Sequence, residues 1–352
     1  MEFENGSILS DEELKKTLKH CADNREDTEK FFNNLDYVEN LFNRNFSQAL
    51  DQGIHLLDKL HALDKKSYEK IHKGSPFYWL GIAAFMMHDY STGVFFFDAA
   101  LSEDMRANAH PESNPTPAMF FIMLEDKNIN QAALPLVKDT LAKLQAQINI
   151  YNNLPDRQKD ILDLAIDEIR NHFLLLAITS KRENWSTLAT SMISFLLEWN
   201  YRNTFMDLRV SNGTSEPFLI HLLKGCVMFE SLLRANPQEI TLRTERPTLI
   251  DYLQTFQKEL NIPNDIKTGN SDLDNIINNL EKTPNEIKSY IEITGKLRNS
   301  LGHNISWSTK IDKLQYQKMF EIVFSSCLHV IACLYVPRDG NSYSITEKTV
   351  NY

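Results

Sequence analysis

Apolar residues along this chain recur every three to four positions and almost never every second one. From Asp160 to Thr179, for example, Ile161, Leu164, Ala165, Ile169, Phe173 and Leu176 keep that spacing. It places them on one face of an α-helix, whereas a half-buried strand would alternate. The same rhythm fills most of the chain, so an all-α fold is expected. Breaks are expected at Gly74-Ser75-Pro76, His110 to Pro117, Leu154-Pro155-Asp156, Ser211-Asn212-Gly213 and Ile262-Pro263-Asn264. These positions combine residues that break a helix or favour turns. Ser75-Pro76 and Thr283-Pro284 read as helix starts, with a capping hydroxyl followed by Pro in the first turn.

The 352 residues are enough for two domains with their own cores. The polar segment Ser211 to Thr214 predicts a division into residues 1–213 and 214–352. The core of the second part spans about 215–337 and ends in a polar tail. The net charge of −10 is unevenly shared: residues 1–213 carry −9 and residues 214–352 carry −1. Non-specific nucleic-acid binding by the whole surface is therefore disfavoured, while a local basic cleft in the second half is compatible with the balance. Cys21, Cys226, Cys327 and Cys333 show no metal-ligand spacing, so reduced thiols and no metal or cofactor are expected. No apolar run approaches the roughly 20 residues of a membrane span. The acidic start Met1-Glu2-Phe3-Glu4 lacks the pattern of a secretory signal. These features give a cytoplasmic protein without a membrane anchor as the expectation.

Two stretches carry more than generic helix. The first is 74–107, where Phe77, Leu80-Gly81, Gly93, Phe97 and Ala100 flank a turn at His88-Asp89-Tyr90. Small residues at 81 and 93 would let two antiparallel helices approach closely. This stretch resembles a tetratricopeptide repeat, although Met105 stands where the usual closing Pro would be. A weaker copy precedes it at Asn45-Phe46 and Ala49. The aromatic run of Tyr78, Trp79, Phe85 and Phe95 to Phe97 is expected to form the core of the helix pair, with an exposed part as a partner surface.

The second stretch is Lys296-Leu297-Arg298-Asn299-Ser300-Leu301-Gly302-His303-Asn304. It lies between helical segments expected at 285–302 and 314–336. A guanidinium keeps its charge and can hold a phosphate, and an imidazole can move a proton near neutral pH. Together they could cleave a phosphodiester. Five positions apart on a continuous helix they lie about 140° from one another, so Gly302 is expected to loosen the helix before His303. The alternative roles are structural: His303 as a helix cap, Arg298 paired with Glu292 or Asp312, Glu230 as a solvated acid, and Trp307 as a core or interface residue rather than a base-stacking one.

Residues 298–304 follow the motif Arg-Asn-x-Leu-x-His and precede a final apolar helix. A leading helix ends in Phe229-Glu230-Ser231-Leu232-Leu233-Arg234. Over about 215–337 the chain thereby resembles the HEPN superfamily of helical-bundle ribonucleases and RNA-binding modules, closest to its abortive-infection type. The resemblance implies cleavage of RNA without metal by a homodimer whose two motifs share one site. His303 would act as general acid or base, Arg298 would hold the phosphate, and Asn299 would orient one of them. Glu230 and Trp307 would be supporting or RNA-contacting residues. It further implies a role in phage defence or as a toxin, with the N-terminal part binding a regulatory protein or antitoxin. Some members carry a Tyr two places after the His that is modified to control them. Ile305 occupies that place, which argues against control by that route. The competing expectation is a non-catalytic adaptor that binds RNA or protein through both halves.

Overall fold

A computed structural model describes residues 9–107, 115–156, 163–180, 183–208, 213–237, 247–269, 272–303 and 309–337. The side chains of Arg25, Glu183, Asn184 and His303 fall outside the description. Of the described residues 76% are helical and none is in a strand, which agrees with the 3.6-residue rhythm. The helices are α1 (Asp11–Asp23), α2 (Arg25–Asn33), α3 (Asp36–Phe42), α4 (Phe46–Leu63), α5 (Lys65–Lys70), α6 (Gly74–Met86), α7 (Tyr90–Ala107) and α8 (Pro117–Ile122). They continue with α9 (Leu134–Asn152), α10 (Ile166–Ile169), α11 (Leu175–Thr179), α12 (Glu183–Leu208) and α13 (Glu216–Arg234). The last four are α14 (Leu249–Thr255), α15 (Leu273–Asn278), α16 (Ile287–His303) and α17 (Lys313–Leu334).

Two compact units result, residues 1–139 and 140–352, and the division falls inside α9. It differs from the 213/214 boundary expected from the sequence. The reason is α12, which packs on α13 and α17. Its Phe195 stacks on His221 and Phe320, and its Trp199 lies 4.0 Å from the Phe320 ring. The polar break at Gly213 is thus a connection within one core.

In the first unit the helical hairpin expected over 74–107 is α6 and α7, joined by a tight turn in which His88 has φ 62°. A second hairpin, α3 and α4, turns at Arg44 with φ 60°, where the weaker sequence copy lies. A Cβ added to Gly81 would sit 2.7 Å from Phe97, and one on Gly93 would sit 2.3 Å from Phe85. The α6–α7 approach therefore depends on both glycines. Phe97 stacks on Phe121 at 4.1 Å between centroids and on Phe85 at 5.3 Å. Most of the aromatic run is core, while Phe95 is 64% exposed. The start of α6 differs from the expected Ser75 cap. The helix begins at Gly74, and the Ser75 hydroxyl instead donates to Asn33 Oδ1.

In the second unit α12, α13, α16 and α17 pack as a bundle. By length and apolarity α17 could cross a bilayer, but most of it is buried within the unit. Gly225 permits the crossing of α13, since a Cβ there would meet Phe195 at 2.5 Å and Val323 at 2.7 Å. His221 is fully buried. Its Nε2 donates to the Phe195 carbonyl, which can only accept, so Nδ1 accepts from the Tyr316 hydroxyl. Burial pushes its pKa down to about 3, against the opposing pull of Glu198. The helix expected from Asp160 starts at Ile166 and contains a π turn over Arg170–Leu174. Before it, Leu164 is held in extended chain by both ends of the Asn152 amide. Thr283 does not cap α16. Asp156, 131 residues earlier, accepts from the first N–H of that helix at 2.8 Å.

Candidate active site around Arg298

The apolar face of α16 is Tyr290, Ile291, Leu297 and Leu301, each at most 2% exposed. It presses the helix into the bundle and leaves Arg298, Asn299 and Ser300 at the half-buried boundary. The segment before α15 crosses α16 closely: a Cβ on Gly295 would sit 2.5 Å from Thr268 Cγ2. One turn later, the Asn299 amide donates to the Thr268 carbonyl.

Arg298 is held by two side chains. Its Nε donates to Glu230 Oε2 at 2.6 Å, and its Nη1 donates to Asn299 Oδ1 at 3.2 Å. The other oxygen of Glu230 accepts from Arg234 Nη2. The Arg234 guanidinium also lies 5.5 Å from the centre of the Tyr252 ring. The Glu230 side chain is 7% exposed, while Arg298 and Arg234 are 31% and 49% exposed. One buried carboxylate thus fixes two guanidiniums that both reach solvent, and the trio keeps one net positive charge. Such an arrangement suits an anionic oxygen arriving from solvent, because guanidiniums bind phosphates in forked geometry. Cys226, one turn before Glu230, has its thiol pushed well up by burial despite the Arg298 charge, so it stays a neutral packing group.

Of the residues singled out in the sequence, the structure brings Arg298, Asn299 and Glu230 into contact. Glu230 is not a solvated acid, and Arg298 does not pair with Glu292 or Asp312. Glu292 lies 4.0 Å from Lys296, and Asp312 caps α17 through Gln315 N. The expected break at Gly302 is absent, since α16 continues through it to His303. Positions 298 and 303 therefore stay about 140° apart around one helix axis. The His303 side chain and Trp307 lie outside the described residues. Sequence reasoning missed Arg234 and Thr268. Arg234 had a readable signal, its i, i+4 spacing from Glu230 on α13. Thr268 had none, because a backbone carbonyl acts there and any residue carries one.

No known protein family, curated protein or solved structure matches the chain.

Proposed function

We propose that this chain is a metal-independent endoribonuclease of the HEPN type, acting in the cytoplasm in phage defence or as a toxin. The observation that carries the reading is Arg298. Within an Arg-Asn-x-Leu-x-His motif it is positioned by Glu230 and Asn299 while its guanidinium keeps 31% of its surface open. In the reaction a ribose 2′-OH attacks the adjacent phosphorus, and the bond to the 5′-oxygen breaks. His303 takes the proton from the 2′-OH or gives one to the departing 5′-oxygen, a step suited to a group that titrates near neutrality. Arg298 stabilises the negative charge that builds on the non-bridging oxygens. The products are a 2′,3′-cyclic phosphate and a 5′-OH end. The 140° separation on an unbroken helix favours a site completed by a second copy of the chain, so that one protomer's Arg298 works with its partner's motif. The helical hairpins of the first unit, tetratricopeptide-like in pattern, would receive a regulatory protein or antitoxin.

The ion pair of Arg298 with a buried carboxylate also fits a second reading, a non-catalytic RNA- or protein-binding adaptor in which Arg298 only ties α16 to α13. Incubating purified protein with tRNA or total RNA in EDTA separates the two. Cleavage that yields cyclic-phosphate ends and is lost in both Arg298→Ala and His303→Ala supports the nuclease. Unchanged cleavage in those variants, or none in the wild type as a dimer, rules it out. A strictly monomeric active species by light scattering would remove the shared site.

A further inference from the structure

The first unit contains a cavity of about 670 Å³ between α2, α6 and the end of α7. That size lies within the range of roughly 300–1,000 Å³ in which proteins enclose small ligands. Among the described residues that line it, Glu26, Glu29 and Asp104 are acidic, none is Lys or Arg, and His72 supplies an imidazole. Glu26 and Glu29 sit three apart on α2 and are exposed, and neither pairs with a basic side chain among the described residues. Asp104 is different, being only 4% exposed.

Asp104 is fixed as the floor of this cavity. Its Oδ2 accepts from the Thr116 hydroxyl at 2.6 Å. Its Oδ1 lies so close to the first residue of α6 that a Cβ on Gly74 would stand 2.2 Å from it. The unpaired N–H groups of a helix's first turn favour a carboxylate there. His72 Nε2 comes within 3.0 Å of Oδ1 but is misdirected and makes no hydrogen bond, although the atom is buried. Tyr78 and Trp79 of α6 supply an aromatic part of the wall. Asn33 Oδ1 pins that wall by accepting from Trp79 Nε1 at 3.1 Å and from Ser75 Oγ at 2.7 Å. Floor and wall are thus set before any ligand arrives.

A metal ion does not suit the cavity, since among the described residues no three acidic or imidazole groups converge as a metal's ligands must. Dispersed carboxylates beside aromatic rings instead match an ammonium or guanidinium on an extended body, which gains from charge pairing and from the ring faces together. We propose that this cavity of the first unit, floored by Asp104 and flanked by Glu26, Glu29 and Trp79, binds an organic cation. The cation is a primary ammonium or guanidinium, presented by a basic peptide segment or by a free polyamine. The site is independent of the Arg298 reading and would stand if that reading fell.

Calorimetry on the full chain in low salt tests it with two probes, spermidine and the peptide acetyl-Gly-Arg-Gly-Lys-Gly-amide. One-to-one binding of either is expected. Glu26→Gln with Glu29→Gln should weaken it about tenfold or more. Both side chains are exposed, so circular dichroism should show the fold intact. The doubly substituted control Glu12→Gln with Asp126→Asn changes the net charge equally at exposed sites elsewhere in the same unit and should leave affinity unchanged. Binding of the peptide alone would mean that the cation arrives on a protein, and binding of spermidine alone that it arrives free. No binding of either probe at about 1 mM, a Kd weaker than roughly −4 kcal/mol of affinity, overturns the proposal. So does an equal loss in the two double variants, which would reduce the effect to the chain's overall acidity.

Discussion

Each unit buries a carboxylate beside its candidate site, and the two are neutralised in different ways. Glu230 in the second unit meets two guanidiniums. Asp104 in the first meets a hydroxyl, the start of a helix and a misdirected imidazole. A buried charge needs compensation, because desolvation costs several kcal/mol per ion. Glu230 is over-compensated and leaves positive charge for something anionic. Asp104 lies under two further carboxylates, and its cavity remains negative. The same device, a carboxylate fixed by packing, therefore prepares opposite electrostatics in the two units, in keeping with the phosphate proposed for one and the organic cation proposed for the other.

The comparison can be broken most easily at the motif. Removing His303 or Arg298 by Ala substitution should reduce RNA cleavage about 1,000-fold or more, the scale of a lost proton-transfer or charge-stabilising group. The folded state should persist by circular dichroism. A residual rate near wild type would leave the guanidiniums of the second unit with a structural role only.

The next effect concerns the core of the second unit and its response to acid. His221 has its folded pKa depressed to about 3 by burial, with Glu198 pulling the other way, and an unfolded imidazole titrates near 6.5. Above pH 6.5 both states are neutral there and its contribution is complete. As pH falls from 6.5 to 4, the unfolded chain takes up a proton that the folded chain refuses, and stability on the order of 3 kcal/mol is lost. Urea melts between pH 7 and 4 should show this loss in the wild type and a flatter profile in His221→Gln. The first unit, with no histidine so enclosed among its described residues, should not share it.

Glu230→Ala removes the counter-charge of two arginines. It should cost about 2 kcal/mol, discounted from the full buried-pair value because both guanidiniums reach solvent. It should also lower cleavage about 100-fold by releasing Arg298 from its position. If Arg298 acts mainly on the charge that builds in the transition state, the drop should appear in kcat more than in KM. A small stability loss with unchanged kcat would show that Asn299 alone positions the guanidinium. Gly93→Val should cost the first unit about 1–3 kcal/mol by overpacking against Phe85, measured as a lower midpoint in denaturant. Asp104→Asn should have the smallest effect on stability, under about 1 kcal/mol, since the amide oxygen can still accept from the Thr116 hydroxyl and a carboxylate at a helix start contributes only about 0.3–1 kcal/mol. A loss as large as that of Glu230→Ala would mean that Asp104 holds the fold together, and the contrast between the two carboxylates would fail.

Much of the architecture is readable along the chain because a helix is a local object. The apolar rhythm gives the helices, and Gly81 and Gly93 give the close hairpin α6–α7. The motif on α16 is visible as a string of residues. Arg234 was legible as well, four places after Glu230 on the same helix.

What the chain by itself determined is therefore its helical class, the order of its helices and the residue types available at 298–303. Only the tertiary structure decided that α12 belongs with the second unit, and that Asp156 caps a helix 131 residues away. It also set Glu230 against Arg298 across 68 positions, and brought Glu26, Glu29 and Asp104 around one cavity. Periodicity reports which face of a helix is buried, because that depends on neighbours a turn away. It does not report which other helix covers that face, or which charge waits there, because those depend on packing between segments distant in sequence.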